Sequence, residues 1–435
     1  MAARVESSAR TEPSARIEIP AHLSSLLALF ASHGEAAYPV GGCVRDLLLG
    51  TPPHDWDVAV TSAPELTQSI CEAVGLRVVP TGIRHGTVTV LLPRSGDPSD
   101  RAGAYDPIEC TTCRTEGGYT DGRHPDAVTF TGRITDDLSR RDFTVNAMAL
   151  TQNGAGELSV LDLFGGRDDL AAGVIRCVGD PATRFSEDAL RMLRAVRFAV
   201  KLGFAIHPDT EGAIRALAPS LARISRERVS EELTKILCSP DPARGIDLLR
   251  RTDLLPFVLP QGAEEIGEMT TDAFTSLPYE LIPRLACLLY PLLADVREAD
   301  LASLRLPTAT RKAVTAICDA VDLPSTPTPR VAREWRRRLG ALAVPALLVR
   351  RAREQDGDTA RDLTALIGAV QASEAAGEAV SVAELAVGGH DLMALGYREG
   401  RELQETLRAL LAAVLDDPAK NTKDTLTTLA RRGEH

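Results

Sequence analysis

The feature that most limits the fold is a change of periodicity near residue 165. Between residues 21 and 165, short β-rich runs at 57–60, 77–79, 86–91, 107–112 and 127–130 are punctuated by Gly, Pro and Asp, the pattern of strands joined by tight connections. Helical stretches at 21–32 and 44–49 accompany them, the second closed by Gly50. Beyond Gly166 apolar residues recur at helical spacing over 187–200, 226–237, 243–251 and a long Ala/Leu-rich series to the end, interrupted by Pro-rich connectors at 239–242 and 323–329. The chain therefore reads as α+β, a small mixed and mostly antiparallel head followed by an extended all-α C-terminal region. Its 435 residues exceed one ordinary core, since domains usually run roughly 100–200 residues. The expected division is a disordered lead over 1–20, a head over 21–165, a helical neck over 166–240, a helical body over 241–350 and a helical tail over 351–435.

Composition removes several classes. No stretch approaches the ~18 unbroken apolar residues of a membrane helix, and the first twenty residues carry Arg4, Arg10 and Arg16 without an apolar h-region, so a cytoplasmic protein is expected. Eight cysteines at irregular spacing fit reduced thiols better than a disulfide framework. The pair Cys110 and Cys113 lacks the second ligand pair a zinc site needs and reads as strand residues. The net charge of −11 argues against a uniformly basic coat for nucleic acid and leaves room for a local one. Only five of the 49 cationic residues are Lys (Lys201, Lys235, Lys312, Lys420, Lys423). The rest are Arg, the side chain suited to forked contacts with phosphates and base edges.

The densest chemical signal is Val40-Gly41-Gly42-Cys43-Val44-Arg45-Asp46, followed by Asp55-Trp56-Asp57. Asp55 and Asp57 alternate by two on an extended segment, so their carboxylates project from one side and can share divalent cations. The Gly pair lets backbone approach a triphosphate, with N–H donors from the following helix. Each piece alone also has a plain explanation, as a surface turn or a sheet edge. Together with Gly82-Ile83-Arg84-His85-Gly86-Thr87, Glu109, the stretch 114–125, Arg140-Arg141-Asp142-Phe143-Thr144-Val145-Asn146, the stretch 184–198 and Ile224-Ser225-Arg226-Glu227-Arg228, they resemble the class II tRNA nucleotidyltransferases, the CCA-adding enzymes and bacterial poly(A) polymerases. The resemblance is dense over ~35–240. It thins afterwards to Gly389-His390-Asp391-Leu392, Leu395-Gly396 and Asn421.

That resemblance implies a polymerase-beta-like nucleotidyltransferase head, a nucleotide-recognition neck and an RNA-binding body. It implies template-independent addition of C, C and A to the 3′ end of tRNA from CTP and ATP. Asp55 and Asp57 would hold two Mg²⁺ ions. Glu109 is either the third catalytic carboxylate or a strand Glu on a solvent face. Gly41, Gly42, Arg45, Arg141, Asp142 and Asn146 fall where the family handles the sugar and phosphates of the nucleotide.

The helix expected to open at Ser186 gives nucleotide choice a physical form. With Ser186 as N-cap, Asp188 and Arg191 share one face at i and i+3 and present an acceptor beside a donor. Cytosine and adenine both offer an exocyclic amine next to an unprotonated ring nitrogen, so the pair fits both. Guanine and uracil set like against like. The plain alternative is an intrahelical ion pair. Glu187 orients Arg191 or caps the helix, and Arg194 and Arg197 face RNA phosphate or solvent. Eight Arg against Glu334 and Glu354 fall between 330 and 354, and Arg333, Arg336 and Arg337 among them are candidates to track an RNA backbone. Trp335 reads as a core residue.

Three rivals remain at this level. One is a poly(A) polymerase, the second a partial CC- or A-adding enzyme, and the third a non-catalytic RNA-binding protein on the same fold. The loop over 116–125 favours full CCA addition, and intact Asp55, Asp57, Asp188 and Arg191 disfavour a silent binding module. A His-Asp phosphohydrolase is excluded because His390 has too few companion histidines. Oligomeric state is not legible.

Overall fold

The structure, a computed structural model, describes residues 17–83, 86–94, 104–117, 127–153, 157–266 and 272–432. Most of the lead at 1–20, the loop tip at 118–125 and the pair Arg84-His85 lie outside these residues. The chain divides into two compact units, Met1–Ile224 and Ser225–His435.

The first unit opens with α1 (Ala21–Ser32) and β1 (Ala37–Pro39), then α2 (Gly42–Leu48), β2 (Trp56–Val60) and α3 (Pro64–Ala73). Strands β3 (Arg77–Gly82), β4 (Thr87–Pro93) and β5 (Tyr105–Thr112) complete a five-stranded sheet of order β1-β2-β5-β4-β3. Every pairing is antiparallel except β2 with β5, in keeping with the mixed, mostly antiparallel expectation. Along β5 Ile108 and Cys110 are buried while Pro107 and Glu109 are exposed. That alternation gives the sheet one core face and one open face. Helices α1 and α3 pack against the sheet, burying Leu23, Leu26, Leu27 and Phe30 from the first and Ile70 and Cys71 from the second.

Next come β6 (Arg114–Gly117), β7 (Ala127–Phe130), α4 (Ile134–Ser139), the hairpin β8 (Met148–Gln152) and β9 (Leu158–Asp162), α5 (Gly166–Ala172) and β10 (Val174–Ile175). Two helices, α6 (Pro181–Glu187) and α7 (Leu190–Leu202), replace the single helix expected over 187–200. The unit closes with β11 (Ala205–Ile206), paired in parallel with β10, and α8 (Pro208–Leu217). Cys110 is buried in the sheet core, and Cys113 joins Val40, Ala59, Ile134, Leu138 and Ala149 in an apolar cluster where burial pushes its thiol to about 12.

The second unit is helical throughout its described residues: α9 (Arg226–Leu237), α10 (Pro242–Arg251), α11 (Leu255–Val258), α12 (Asp272–Thr275), α13 (Leu281–Leu289), α14 (Ala294–Ser303), α15 (Thr308–Cys318), α16 (Pro329–Leu339), α17 (Ala343–Arg353), α18 (Gly357–Ala375), α19 (Gly389–Ala394), α20 (Arg401–Asp416) and α21 (Lys423–Arg432), with short 3₁₀ turns between some of them. Its core forms around α13, buried from Pro283 through Leu289. A separate cluster of Val387, Leu392, Leu410, Val414 and Leu426 holds α19, α20 and α21 together. No helix of the described residues is long and apolar enough to cross a membrane.

Candidate active site

The open face of the first unit's sheet carries the acidic residues. Asp57 on β2 is the register partner of Glu109 on β5, and Glu109 is in turn opposite Thr89 on β4. Partners in register on neighbouring strands point to the same face. Both carboxylates are exposed while the residues flanking them, Trp56, Val58, Ile108 and Cys110, are buried. Asp55, exposed, stands immediately before β2, two residues from Asp57, with the His54 ring Nδ1 at 3.0 Å from its carboxylate.

The surrounding protein desolvates Asp57 and pushes its carboxyl pKa up. Arg141 pulls it down, and repulsion from Glu109 and Asp55 raises it again. Like charges on adjacent strands are unfavourable unless a cation compensates them. Three anionic oxygen donors suit a hard divalent ion. Among the described residues no three His, Cys, Asp or Glu side chains are already drawn into a closed cage. The donors therefore fit such an ion in chemistry, with Asp57 and Glu109 on one face and Asp55 just before the strand, and their side chains must turn inward to enclose it.

The glycine turn lies alongside. Val40 donates its N–H to the Asp57 carbonyl at 2.9 Å and Gly41 donates to the Met148 carbonyl at 3.1 Å. Gly41 takes φ +79°, and a Cβ there would lie 2.7 Å from Nη1 of Arg141. Glycine is thus required by the backbone angle, and the guanidinium packs against the position a Cβ would take. Arg45, 3 % exposed, is not an open fork. Its Nε and Nη2 bind Asp46 Oδ1 at 2.8 and 2.7 Å and its Nη1 donates to Asn146 Oδ1 at 2.6 Å. Arg45 holds Asn146, itself buried in a 3₁₀ turn over Thr144–Asn146.

Asp142 and Arg194 form an ion pair. The Asp142 carboxylate is buried, accepts the Phe143 N–H at 2.9 Å, and takes Nε and Nη2 of Arg194 at 2.7 and 2.6 Å. Burial alone would raise its pKa, but Arg194 and then Arg191 bring it below the usual carboxylate range. Arg141 donates Nε and Nη2 to Asp137 Oδ2 at 3.2 and 3.0 Å and Nη1 to the Asn146 carbonyl at 3.4 Å.

Asp188 and Arg191 do not share a helix face. Asp180, not Ser186, caps α6, accepting the Thr183 N–H at 2.7 Å; the Ser186 hydroxyl donates back to the Ala182 carbonyl at 2.8 Å. Asp188 adopts extended backbone (φ −144°, ψ 105°) between the helices and accepts the Leu190 N–H at 3.0 Å, an Asx-type cap that starts α7. Arg191 is clamped: its Nη1 donates to Glu187 and to the Arg184 carbonyl at 3.1 Å, and its Nη2 to the Arg140 carbonyl at 3.2 Å. Glu187 also takes Arg184 Nη1 at 3.0 Å. Glu187 thus bridges Arg184 and Arg191. Arg191, Arg194 and Arg197 recur every three residues on α7, each half-buried. Arg197 lies 4.4 Å, Arg194 5.5 Å and Arg45 5.6 Å from the Phe198 ring centroid. That cation–π hub escaped the sequence reading, whose only trace of it is an aromatic beside regularly spaced arginines.

In the second unit the arginine-rich segment runs from buried Arg333 through half-buried Arg330, Arg336, Arg350, Arg351 and Arg353 to exposed Arg337 and Arg338. Arg333, 5 % exposed, donates to Glu378 Oε2 at 2.9 Å and to the carbonyls of Leu415 and Asp416. Arg336 donates to Ser373 O at 3.0 Å, Ser373 Oγ at 2.8 Å and Glu378 O at 3.0 Å. Arg333 thereby ties α16 to the end of α20, and Arg336 ties it to the end of α18. Arg336 is half-buried, and Arg337 and Arg338 are exposed. Trp335 is buried, its indole N–H on the Pro324 carbonyl at 2.8 Å. Arg333→Ala is expected to cost the unit about 2–3 kcal/mol, since it strands a partly buried carboxylate and two carbonyls. Arg337→Ala should stay within about 0.5 kcal/mol. Denaturant melts of the two variants check this, and equal losses would contradict it. Asp391 pairs with Lys423 at 2.6 Å and accepts the Gly388 N–H at 3.0 Å, so its segment joins α19 to α21.

The family model described as the poly A polymerase head domain matches residues 37–176, that described as the "probable RNA and SrmB- binding site of polymerase A" matches 203–266, and that described as "tRNA nucleotidyltransferase domain 2 putative" matches 285–430. The solved structure of the Bacillus stearothermophilus CCA-adding enzyme in complex with CTP superposes with a TM-score of 0.77 at 32 % identity, covering 95 % of this chain and 97 % of that one. The chain belongs to the family of CCA-adding enzymes and bacterial poly(A) polymerases. Among curated CCA-adding enzymes, that of Lactiplantibacillus plantarum is 47 % identical over 225 residues, covering 52 % of this chain and 51 % of the relative. That of Geobacillus stearothermophilus is 46 % identical over 222 residues, covering 51 % and 50 %. The chain thus spans about half the length of the curated relatives it matches. Within the family frame, Asp55, Asp57, Glu109 and Arg141 lie inside the head model, whereas Asp188 and Arg191 fall in the gap before the next matched region.

Proposed function

We propose that the chain adds C, C and A to the 3′ end of tRNA, using CTP and ATP. The observation that carries this reading is the register of Asp57 with Glu109 on one open sheet face, beside a glycine turn that packs against Arg141. It is supported by relatives described as CCA-adding enzymes and by the CTP complex of the 32 % identical neighbour.

The reaction joins the RNA 3′-oxygen to the α-phosphorus of the nucleotide and releases pyrophosphate. Asp55 and Asp57, with Glu109 beside them, would hold Mg²⁺, which when bound supplies charge neutralisation and hydroxyl activation for in-line phosphoryl transfer. Arg141, held by Asp137, presents its guanidinium at the Gly41-Gly42 turn, where the triphosphate belongs. Asp188 and Arg191 read the base edge. Three of Arg191's five N–H donors are taken by Glu187 and two carbonyls, leaving the Nε–H and one Nη2–H for the base. A donor fixed on three sides cannot turn to accommodate a keto oxygen paired with a ring N–H, so the protein itself serves as template.

The head (21–165), neck (166–240), body (241–350) and tail (351–435) are the divisions we assign to these tasks, in a cytoplasmic protein. RNA contact falls to exposed cations such as Arg337 and to Arg197 on α7. Poly(A) synthesis is the second reading, favoured by the description of the head-domain model. Sequencing the 3′ termini of tRNA lacking its end, after reaction with all four nucleotides and Mg²⁺, tests the proposal. C-C-A termini are expected; C-C alone or a run of A would replace it, and no extension would leave the RNA-binding alternative.

A further inference from the structure

Asp137 had no place in the sequence reading, yet it is 1 % exposed and sits between two arginines. Its Oδ1 takes Nε and Nη2 of Arg140 at 3.0 and 2.5 Å, and its Oδ2 takes Nε and Nη2 of Arg141 at 3.2 and 3.0 Å. Packing does not call for a charge there. Ile134 and Leu138 already supply the apolar face of α4 to the cluster around Val40 and Ala149. A carboxylate at such depth is costly unless cations match it; burial would raise its pKa, and Arg141 and Arg140 bring it below the usual range.

Two connections leave this carboxylate. Through the Arg141 side chain it reaches the Gly41 turn and the Asn146 carbonyl. Through Arg140, whose side chain it binds, it reaches the backbone carbonyl that accepts Nη2 of Arg191 at 3.2 Å. We infer that Asp137 is a positioning residue that sets the triphosphate arm and the base-reading arm of one nucleotide site in a common frame. The inference rests on the nucleotidyltransferase reading above and adds to it a residue that touches neither substrate.

Asp137→Asn keeps the size but offers one acceptor oxygen, and its amide N–H₂ turns a donor toward a guanidinium. One arginine is released. The KM for both CTP and ATP is expected to rise roughly tenfold while kcat falls by less than about threefold, the split expected when binding rather than chemistry is loosened. Incorporation of UMP and GMP should rise relative to CMP. Asp137→Glu, which keeps the charge, should recover part of the KM. Combining Asp137→Asn with Arg141→Lys should raise KM little beyond the worse single variant, because the two act through one contact.

A lower melting temperature with unchanged KM and unchanged base selectivity would overturn the inference and leave Asp137 a structural residue. So would failure of both Asn and Glu variants to fold in the presence of CTP. A wild-type chain that incorporates neither CMP nor AMP would instead fault the parent reading, so the two failures are distinguishable.

Discussion

Asp57→Asn is expected to abolish nucleotide incorporation while raising the melting temperature of the metal-free protein. The activity arm follows from removing one of two carboxylates that would carry the divalent ions. Their charge stabilisation is worth several kcal/mol, so the fall is on the order of a thousandfold or more. The stability arm follows from the raised pKa of Asp57, caused first by desolvation and then by Glu109 and Asp55 against the pull of Arg141. A carboxyl whose folded pKa is raised binds its proton more tightly in the folded state, so its ionisation destabilises the fold as pH rises through that pKa. The neutral Asn removes this penalty at pH 7. At pH values well below about 4, where the acid is protonated in both states, the two proteins should melt alike. Differential scanning calorimetry across this range, with and without Mg²⁺, makes the check. Mg²⁺ should raise the wild-type melting temperature more than that of the variant. A variant that is less stable at pH 7, or retains incorporation, would contradict the account.

The second large effect concerns base choice. Asp188→Ala and Arg191→Lys are each expected to lower the preference for CTP over UTP, measured as a ratio of kcat/KM, by on the order of 10² to 10⁴. Lysine keeps the charge at 191 but loses the planar fork, and with it the donations that fix the side chain to Glu187, Arg184 and Arg140. Overall rates fall as well, but the discriminating quantity is the ratio. If both variants slow all four nucleotides equally, the pair does not read the base.

Some of this was legible in sequence because the relevant order is local. The two-residue and 3.6-residue periods need only neighbouring residues, and 21–32, 127–130 and 226–237 coincide with α1, β7 and α9. The facing of Glu109 was open because it depends on strand register across some fifty residues, which no local pattern encodes. The break between α6 and α7 was hidden for a different reason. Apolar residues keep helical spacing across it, and the interruption is made by the Asp188 side chain capturing the Leu190 N–H. Charge counting could not tell that Arg333 and Arg336 engage groups within their own unit, because composition registers a charge but not the distant partner that binds it. Asp137 was invisible for the same reason: an acid three and four residues before two arginines reads as a solvated helix, and only its depth reveals otherwise.

The central claim is that the open face bearing Asp57 and Glu109 captures divalent ions beside a triphosphate at the Gly41 turn. Crystals of the chain grown with CTP and Mn²⁺, a scatterer that replaces Mg²⁺ among oxygen ligands, test it through the anomalous difference map. The account predicts a peak at about 2.1 Å from carboxylate oxygens of Asp55 and Asp57, with the nucleotide phosphates against it and the base within reach of Asp188 and Arg191. A peak at other residues, or CTP bound away from Gly41 and Arg141, would contradict it.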